Sequence, residues 1–567
     1  VKVGYKAAAG AALLAMALTA CGGGSGDTPK AESSQAAQQQ AAALPGSTIN
    51  PVSYEQVADG GVVKLGLSQW QEQWNYNQVN GTNASTDDVI EPLMPLIAIA
   101  DDKANVTNNP NYVTEWKMDL GSGKQVVTYK IHEKATWSDG TPITYKDFAA
   151  QWKALNGENK KYQVSSTEGY ERIESVEKGA SDKEVVVTFA KNFPDWKNLF
   201  SPLYPASTND TPEHFNKGWI DKIPVTAGPF KVESMDQTAK TATLVRDDKW
   251  WGQKAKLDKV IFRAIDQTAM IGAFANGEID AVEIPANAAD LKRAKEVPNV
   301  DIRKAAAPNW RHFTINGSSE QLKDKSVRQA IVLGINREAI AQSDLKDMDW
   351  PIQLLNNHVY MNTQKGYVDN SGDLGKYNPE KAKQLLDAAG WKQEGEYRKK
   401  DGKELNLRFI VPADLALSKQ EGELTQAMLK EIGVKVTVEP VPGDKFFDDF
   451  VIPGNFDIAP FSWLGTPFPL NGLAQIYKTP TGPDNYGSNF PRIGTPELDK
   501  VIEQAGGEMD PAKAMELGNQ ADKLIWDEVH TLPIYQRPDI FAAKKTLANY
   551  GAFGYSDKDW TKIGFTK

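Results

Sequence analysis

One cysteine in 567 residues excludes an internal disulfide framework and every metal site that needs several thiolates. Five histidines are scattered without metal-ligand spacing, which leaves little for a histidine-rich centre. Positive charge is also short. Against 74 Asp and Glu stand 64 Lys and Arg, a balance that argues against sequence-independent nucleic-acid binding, which requires a basic face, and no long basic stripe stands out. Beyond the N-terminal region no stretch reaches 18 consecutive apolar residues, so none reads as a membrane span. Catalytic signatures are missing too. There is no Gly-x-Ser-x-Gly elbow, His132-Glu133 has no second His at metalloprotease spacing, and Ser175-Val176-Glu177-Lys178 lacks the companion motifs of β-lactam enzymes. Gly121-Ser122-Gly123-Lys124 is not spaced as a phosphate cradle and reads as a hairpin turn. These absences argue against an enzyme and imply no cofactor.

What is present begins at the N-terminus. Lys2 and Lys6 precede an Ala-rich apolar run from Ala7 to Ala17, the charged and hydrophobic regions of a signal peptide over residues 1–20. Leu18-Thr19-Ala20-Cys21 resembles the bacterial lipobox, in which the Cys becomes the first mature residue and carries lipid. Residues 22–48 are rich in Gly, Ser, Gln and Ala and hold no aromatic residue, so they read as part of a flexible tether reaching from Cys21 to about residue 60. Hydrophobic residues make up 40% of the chain, enough for large cores, and the length suggests three or four domains at about 150 residues each. Strands and helices mix along the body. Val62–Leu67, Gln125–Ile131, Val185–Phe189, Leu405–Val411 and Val434–Val438 read as strands. Thr144, Asn378-Pro379, Thr495-Pro496 and Asp510-Pro511 read as helix starts, each followed by an apolar stripe. The class is α/β or α+β.

Six segments, in order, carry a resemblance. They are Trp137–Asp147, Thr226–Val232, Arg246–Asp280, Val327–Ile340, Tyr377–Trp391 and Leu429–Val436. Together they resemble the extracytoplasmic solute-binding proteins of ABC importers, in the peptide- and nickel-binding family. The resemblance implies an α/β, two-lobed periplasmic-binding-protein fold of type II, in the large cluster with an extra subdomain, and a hinge between lobes. It places lobe I at 61–304, lobe II at 305–532 and a return to lobe I at 533–567. It implies a monomer, tethered by lipid to the outer face of the bacterial cytoplasmic membrane, that passes peptides or peptide-like solutes to permease and ATPase subunits.

The resemblance also places ligand contacts. They fall after the opening strand at Trp70, Asn83 and Ser85, at the start of lobe II at Trp310 and Arg311, at Trp463 and Thr466, and at Asn489. Trp463 and Asn489 carry most weight. In peptide-binding members the third of these segments resembles Trp-x-x-Asp-Tyr, and the Asp holds the peptide amine. This chain reads Trp463-Leu464-Gly465-Thr466-Pro467 and lacks that carboxylate. A hydroxyl does not replace a full charge in a desolvated cleft. The ligand then lacks a free amine, places it elsewhere, or is not a peptide. Nickel complexes, sugars or glycolipids and siderophores remain open as ligands, and a cell-surface hydrolase is the alternative from another class.

Overall fold

Capping chemistry fixes the helix starts. In helix Tyr145–Leu155, Thr144 accepts from Lys146 N and Asp147 Oδ2 accepts from Thr144 N at 2.8 Å, closing a capping box. Asn378 accepts from Lys381 N at 3.0 Å ahead of helix Pro379–Ala388. Thr495 accepts from Leu498 N at 3.2 Å ahead of Pro496–Ala505, and Asp510 accepts from Ala512 N at 2.9 Å ahead of Pro511–Glu528. Each cap satisfies donors that the first turn leaves open, and each proline sits where no N–H is needed.

In this computed structural model the described residues are 44–121, 123–285, 287–482 and 486–567. Cys21 and the signal peptide expected around it lie outside them. Segment 44–60, expected in the tether, is instead bound to the body: Ala306 N donates to Pro45 O at 2.8 Å and Thr48 N to Ala552 O at 2.8 Å. Backbone pairing of this kind does not depend on the polar composition that suggested a tether.

Ten strands form the main sheet: β1 (Val62–Leu67), β2 (Phe230–Asp236), β3 (Thr241–Arg246), β4 (Lys259–Ala264), β5 (Ala281–Glu283), β6 (Val300–Ile315), β7 (Asn406–Pro412), β8 (Lys435–Val441), β9 (Ile458–Trp463) and β10 (Thr531–Lys544). Their spatial order is β8-β7-β9-β6-β10-β5-β1-β4-β3-β2. Parallel pairs β1/β4 and β7/β8 flank the antiparallel centre. A separate four-stranded antiparallel sheet joins Val113–Asp119, Val126–Ile131, Glu184–Phe189 and Ile173–Lys178 in that order. Gly121 and Gly123 lie in the hairpin between its first two strands, and Ser175–Lys178 lies on its edge strand, as structural rather than catalytic features.

Two large apolar cores result. The first draws on residues 63–281 and 543–563, with Trp74, Tyr129, Phe200 and Trp560 among them. The second draws on residues 271–542, with Phe313, Ile331, Phe409 and Trp526. Strands β6 and β10 run between them. With 16 residues at about 3.3 Å each, β6 spans about 50 Å. Midway, the pairing breaks: Ala307, Pro308 and Asn309 stand between the pairs Ala306↔Pro538 and Trp310↔Gln536. Neither Pro308 nor Pro538 has an N–H for the ladder. Gln536 Nε2 donates to Ala307 O at 2.6 Å and takes the place of a ladder bond. This bulge interrupts the ladder of the crossing strands between the cores.

Candidate ligand-binding cleft

Alternation along β6 sorts its side chains by face. Trp310 and His312 share one face, where they pair across the ladder with Trp463 and Phe461 of β9. The His312 ring lies 4.4 Å from Phe461 and is parallel to Trp463 at 6.0 Å; Trp463 in turn stacks on Phe490 at 5.7 Å. Trp310 is buried against Leu355 and Met361. Burial, aided by the charge of Arg311, holds the His312 imidazole well below its ordinary value, so the ring is neutral. Trp463 is only partly buried, but its indole Nε1 is enclosed and has no hydrogen-bond partner among the described residues.

Arg311, which the resemblance places at the ligand, points to the opposite face and is buried. Its Nε donates to Glu421 Oε1 at 2.7 Å, a second nitrogen meets Glu421 Oε2, and the same nitrogen donates to Ser418 Oγ at 2.8 Å. Both partners lie on helix Ala416–Glu431, and Glu421 is fully buried. Asp344 lies close by. Burial first, then the neighbouring Glu421, raises its carboxyl far above the carboxylate range, so it is protonated at neutral pH.

Asn489, which the resemblance also places at the ligand, is buried among backbone partners. It is 0% exposed. Its Nδ2 donates to Lys478 O at 2.9 Å and Ile493 O at 2.6 Å, while Oδ1 accepts from Ile493 N at 3.3 Å and His530 Nε2 at 3.1 Å. His530 is neutral because burial depresses its value strongly. Asn489→Ala strands these buried partners. It is expected to cost about 2–3 kcal/mol of stability, read from a denaturant midpoint, with an undisturbed midpoint counting against the assignment.

The other expected residues are placed as follows. Trp70 packs edge-on against Trp74 at 5.2 Å, and its Nε1 donates to Gln237. Asn83 caps helix Ala84–Ile90 by accepting from Thr86 N at 3.0 Å, and buried Ser85 meets Ser68 Oγ at 3.2 Å. All these partners belong to the first-core side. Thr466 is exposed, and its Oγ1 accepts from Phe468 N at 3.2 Å.

The chain after Trp463 bridges the cores. Gly465 N donates to Asn309 Oδ1 in the β6 bulge at 3.1 Å. Seven residues on, Gly472 N donates to both carboxylate oxygens of Glu168, each at 3.1 Å, from the opposite side of the junction. Alongside, Arg172 and Lys191 reach Glu503 at 3.8 and 3.6 Å, and Met509 packs against the first core. Burial raises Glu168 to about 7, the Gly472 donor opposing the rise and nearby Asp195 adding to it. Burial alone raises Asp195 to about 7. Sequence reading missed both acids. They sit in loops, and Gly472 lies 304 residues from Glu168; the one local signal is Gly169, whose φ of +80° holds a bend that a side chain would fill against Phe193. Among the described residues no group of three or more His, Cys, Asp or Glu is arranged to hold a metal ion, and no helix is long and apolar enough to cross a membrane.

Two cores joined by a pair of long crossing strands, with an aromatic cluster and facing side chains at the junction, define a binding protein of the hinged two-lobed class. Residues 108–485 match the family model of bacterial extracellular solute-binding proteins, family 5, and the chain belongs to that family. It is 39% identical over 559 residues to the oligopeptide-binding protein OppA of Mycobacterium tuberculosis, covering 98% of this chain and 93% of that one. Among solved structures it resembles the periplasmic EDTA-binding protein EppA, with a TM-score of 0.83 and 26% identity over 92% of this chain and 98% of that one. It also shares the fold of AppA from Bacillus subtilis, solved with a nonapeptide, with a TM-score of 0.77 and 22% identity over 90% of this chain and 100% of that one. These relatives are named as binding proteins, and the chain is not an enzyme.

Proposed function

We propose that this chain is a lipid-anchored receptor that encloses peptides or peptide-like solutes between two lobes and delivers them to an ABC importer. The observation that carries the reading is the 39% identity, over 98% of the chain, to a protein named for oligopeptide binding. Lobe I comprises 61–304 with the returning tail 533–567, lobe II comprises 305–532, and the β6/β10 bulge is the hinge. Extended peptides suit such a cleft because main-chain hydrogen bonds ignore side-chain identity. Trp463, at the meeting of hinge and bridging segment, is the proposed aromatic wall, and Thr466 follows it at the cleft edge. ATP hydrolysis falls to partner subunits.

Native mass spectrometry of gently purified protein lacking residues 1–21 tests the ligand. A ladder of bound masses spaced by residue masses supports peptides. A single non-peptide mass favours the second reading, a metal chelate, which the likeness to the EDTA-binding protein supports. For the anchor, Cys21→Ala is expected to move the protein from the membrane fraction to the soluble one; retention on the membrane overturns lipidation at Cys21.

A further inference from the structure

Residues 44–52 are polar enough to read as tether, yet they are fastened to the body along their length. Thr48 N donates to Ala552 O at 2.8 Å, and Ala552 N returns the bond to Thr48 O at 3.1 Å. Tyr550 N and Asn549 N donate to Ile49 O and Asn50 O, each at 3.0 Å. Asn549 closes the row: its Oδ1 accepts from Val52 N at 2.8 Å and its Nδ2 donates to Val52 O at 2.9 Å. Ile49 packs against the first core, to which Leu547 and Tyr550 of the tail also belong. One end of the segment is therefore tied to the first core.

The other end reaches the junction. Over residues 300–306, β6 has β10 on one side, and β9 joins its other side from Trp310 onward. The edge left open before the bulge is met by this segment. Ala306 N donates to Pro45 O at 2.8 Å, and Thr48 Oγ1 donates to Lys304 O at 2.7 Å. A sheet edge with open N–H and C=O groups gains from such a partner. Ala306 is the last paired residue before the bulge, and Leu44 packs against the second core. The fit is close. A Cβ at Gly554 would lie 2.1 Å from Gly46 O and 3.0 Å from Ala306 O, so segment, tail and β6 meet at a residue without a side chain.

We propose that residues 44–50 form a strap that splints the junction and sets the balance between closed and open receptor. This rests on the reading of the β6/β10 bulge as the hinge. The strap is held to the first core by Thr48, Ile49 and Asn50 and to the second core by Leu44, with Pro45 bonded beside the bulge. A link fastened to both bodies resists a change in their separation, so opening must strain or release its Leu44 end. Release exposes apolar surface of Leu44 and loosens the bonds to Ala306 N and Lys304 O. A solute that binds the closed form then binds more weakly in proportion to the closed fraction lost.

The test is a distance measurement by double electron–electron resonance on protein lacking residues 1–21, which has no cysteine of its own. Spin labels go on Lys117→Cys, next to Trp116 of the first core, and on Lys403→Cys, close to Leu405 of the second; both lysines are exposed. Against this native strap stands Leu44→Ser combined with Thr48→Val, which keeps the backbone pairing but removes the second-core contact and the bond to Lys304 O. The loosened strap is expected to raise the ratio of long to short separations at least about ten-fold, about 1.4 kcal/mol. Thr48→Val alone, the milder variant, is expected to give a smaller rise in the same direction. Asn50→Ala is the control, because its Nδ2 donates to Lys545 O at 3.1 Å and Leu547 O at 3.2 Å on the first-core side. It is expected to lower the melting temperature and leave the separations unchanged, whereas a merely structural strap predicts that all three variants act on stability alone. Two separations in the same ratio with native and loosened strap overturn the proposal and leave the hinge standing. One identical separation in both removes the hinge and this proposal with it.

Discussion

Arg311→Met is expected to lower the unfolding free energy by about 3–5 kcal/mol at pH 8, read as a fall in denaturant midpoint and melting temperature. The size follows from what is left behind. Glu421 is fully buried and loses the guanidinium that meets both its oxygens. Ser418 loses its donor as well. Asp344 cannot help, since it is an acid already held neutral there. As the pH falls, the stranded carboxylate takes up a proton before the carboxyls of the unfolded chain do, so part of the loss is expected to return near pH 5. Glu421→Ala is expected to cost less, because removing one negative charge lets Asp344 ionise and pair with Arg311. Combining Glu421→Ala with Asp344→Asn removes that rescue, so the double variant is expected to lose more than the two single losses added together. Simple additivity, or no pH recovery in Arg311→Met, contradicts this account of the buried cluster.

The same residue shows where sequence reasoning stops. Caps are local, so Thr144 with Asp147, Asn378 with Pro379 and Asp510 with Pro511 announce their helices from adjacent residues, and the structure places the bonds where the pattern expects them. The alternation of Trp310, Arg311 and His312 is equally legible. Which face meets the junction is not, because that depends on helix Ala416–Glu431, more than a hundred residues away, covering the other side. The surroundings of Asn489 are illegible for a related reason. The resemblance places it at the ligand from its position in the family pattern, while its bonds to Lys478, Ile493 and His530 come from three stretches of chain that no local pattern announces. Glu168 and Asp195 lie in no motif at all. The bond between Gly472 and Glu168 is a property of tertiary packing alone. The resemblance of six segments reached the family because those segments are turns, caps and core strips, the parts most constrained by the fold.

Trp463→Ala is expected to weaken peptide binding by at least about 30-fold, the loss of about 2 kcal/mol that marks a central aromatic anchor. Three features support the size. Trp463 ends β9 opposite Trp310, at the base of the segment that runs to the Glu168 contact. Its partly open ring presents apolar surface with little entropy to lose. Its buried Nε1 has no partner among the described residues, so a carbonyl of an extended ligand would relieve an unsatisfied donor. The stacking on Phe490 and the parallel His312 ring mean that the alanine variant is also expected to lose stability, so calorimetry must follow a melting control. Trp463→Phe separates the two contributions. It keeps an aromatic ring between Phe490 and His312 but removes the N–H. Near-normal stability with a fall in affinity assigns the effect to the hydrogen bond, whereas affinity retained in Phe and lost in Ala assigns it to the ring surface. Unchanged affinity in a folded Trp463→Ala protein removes Trp463 from the site.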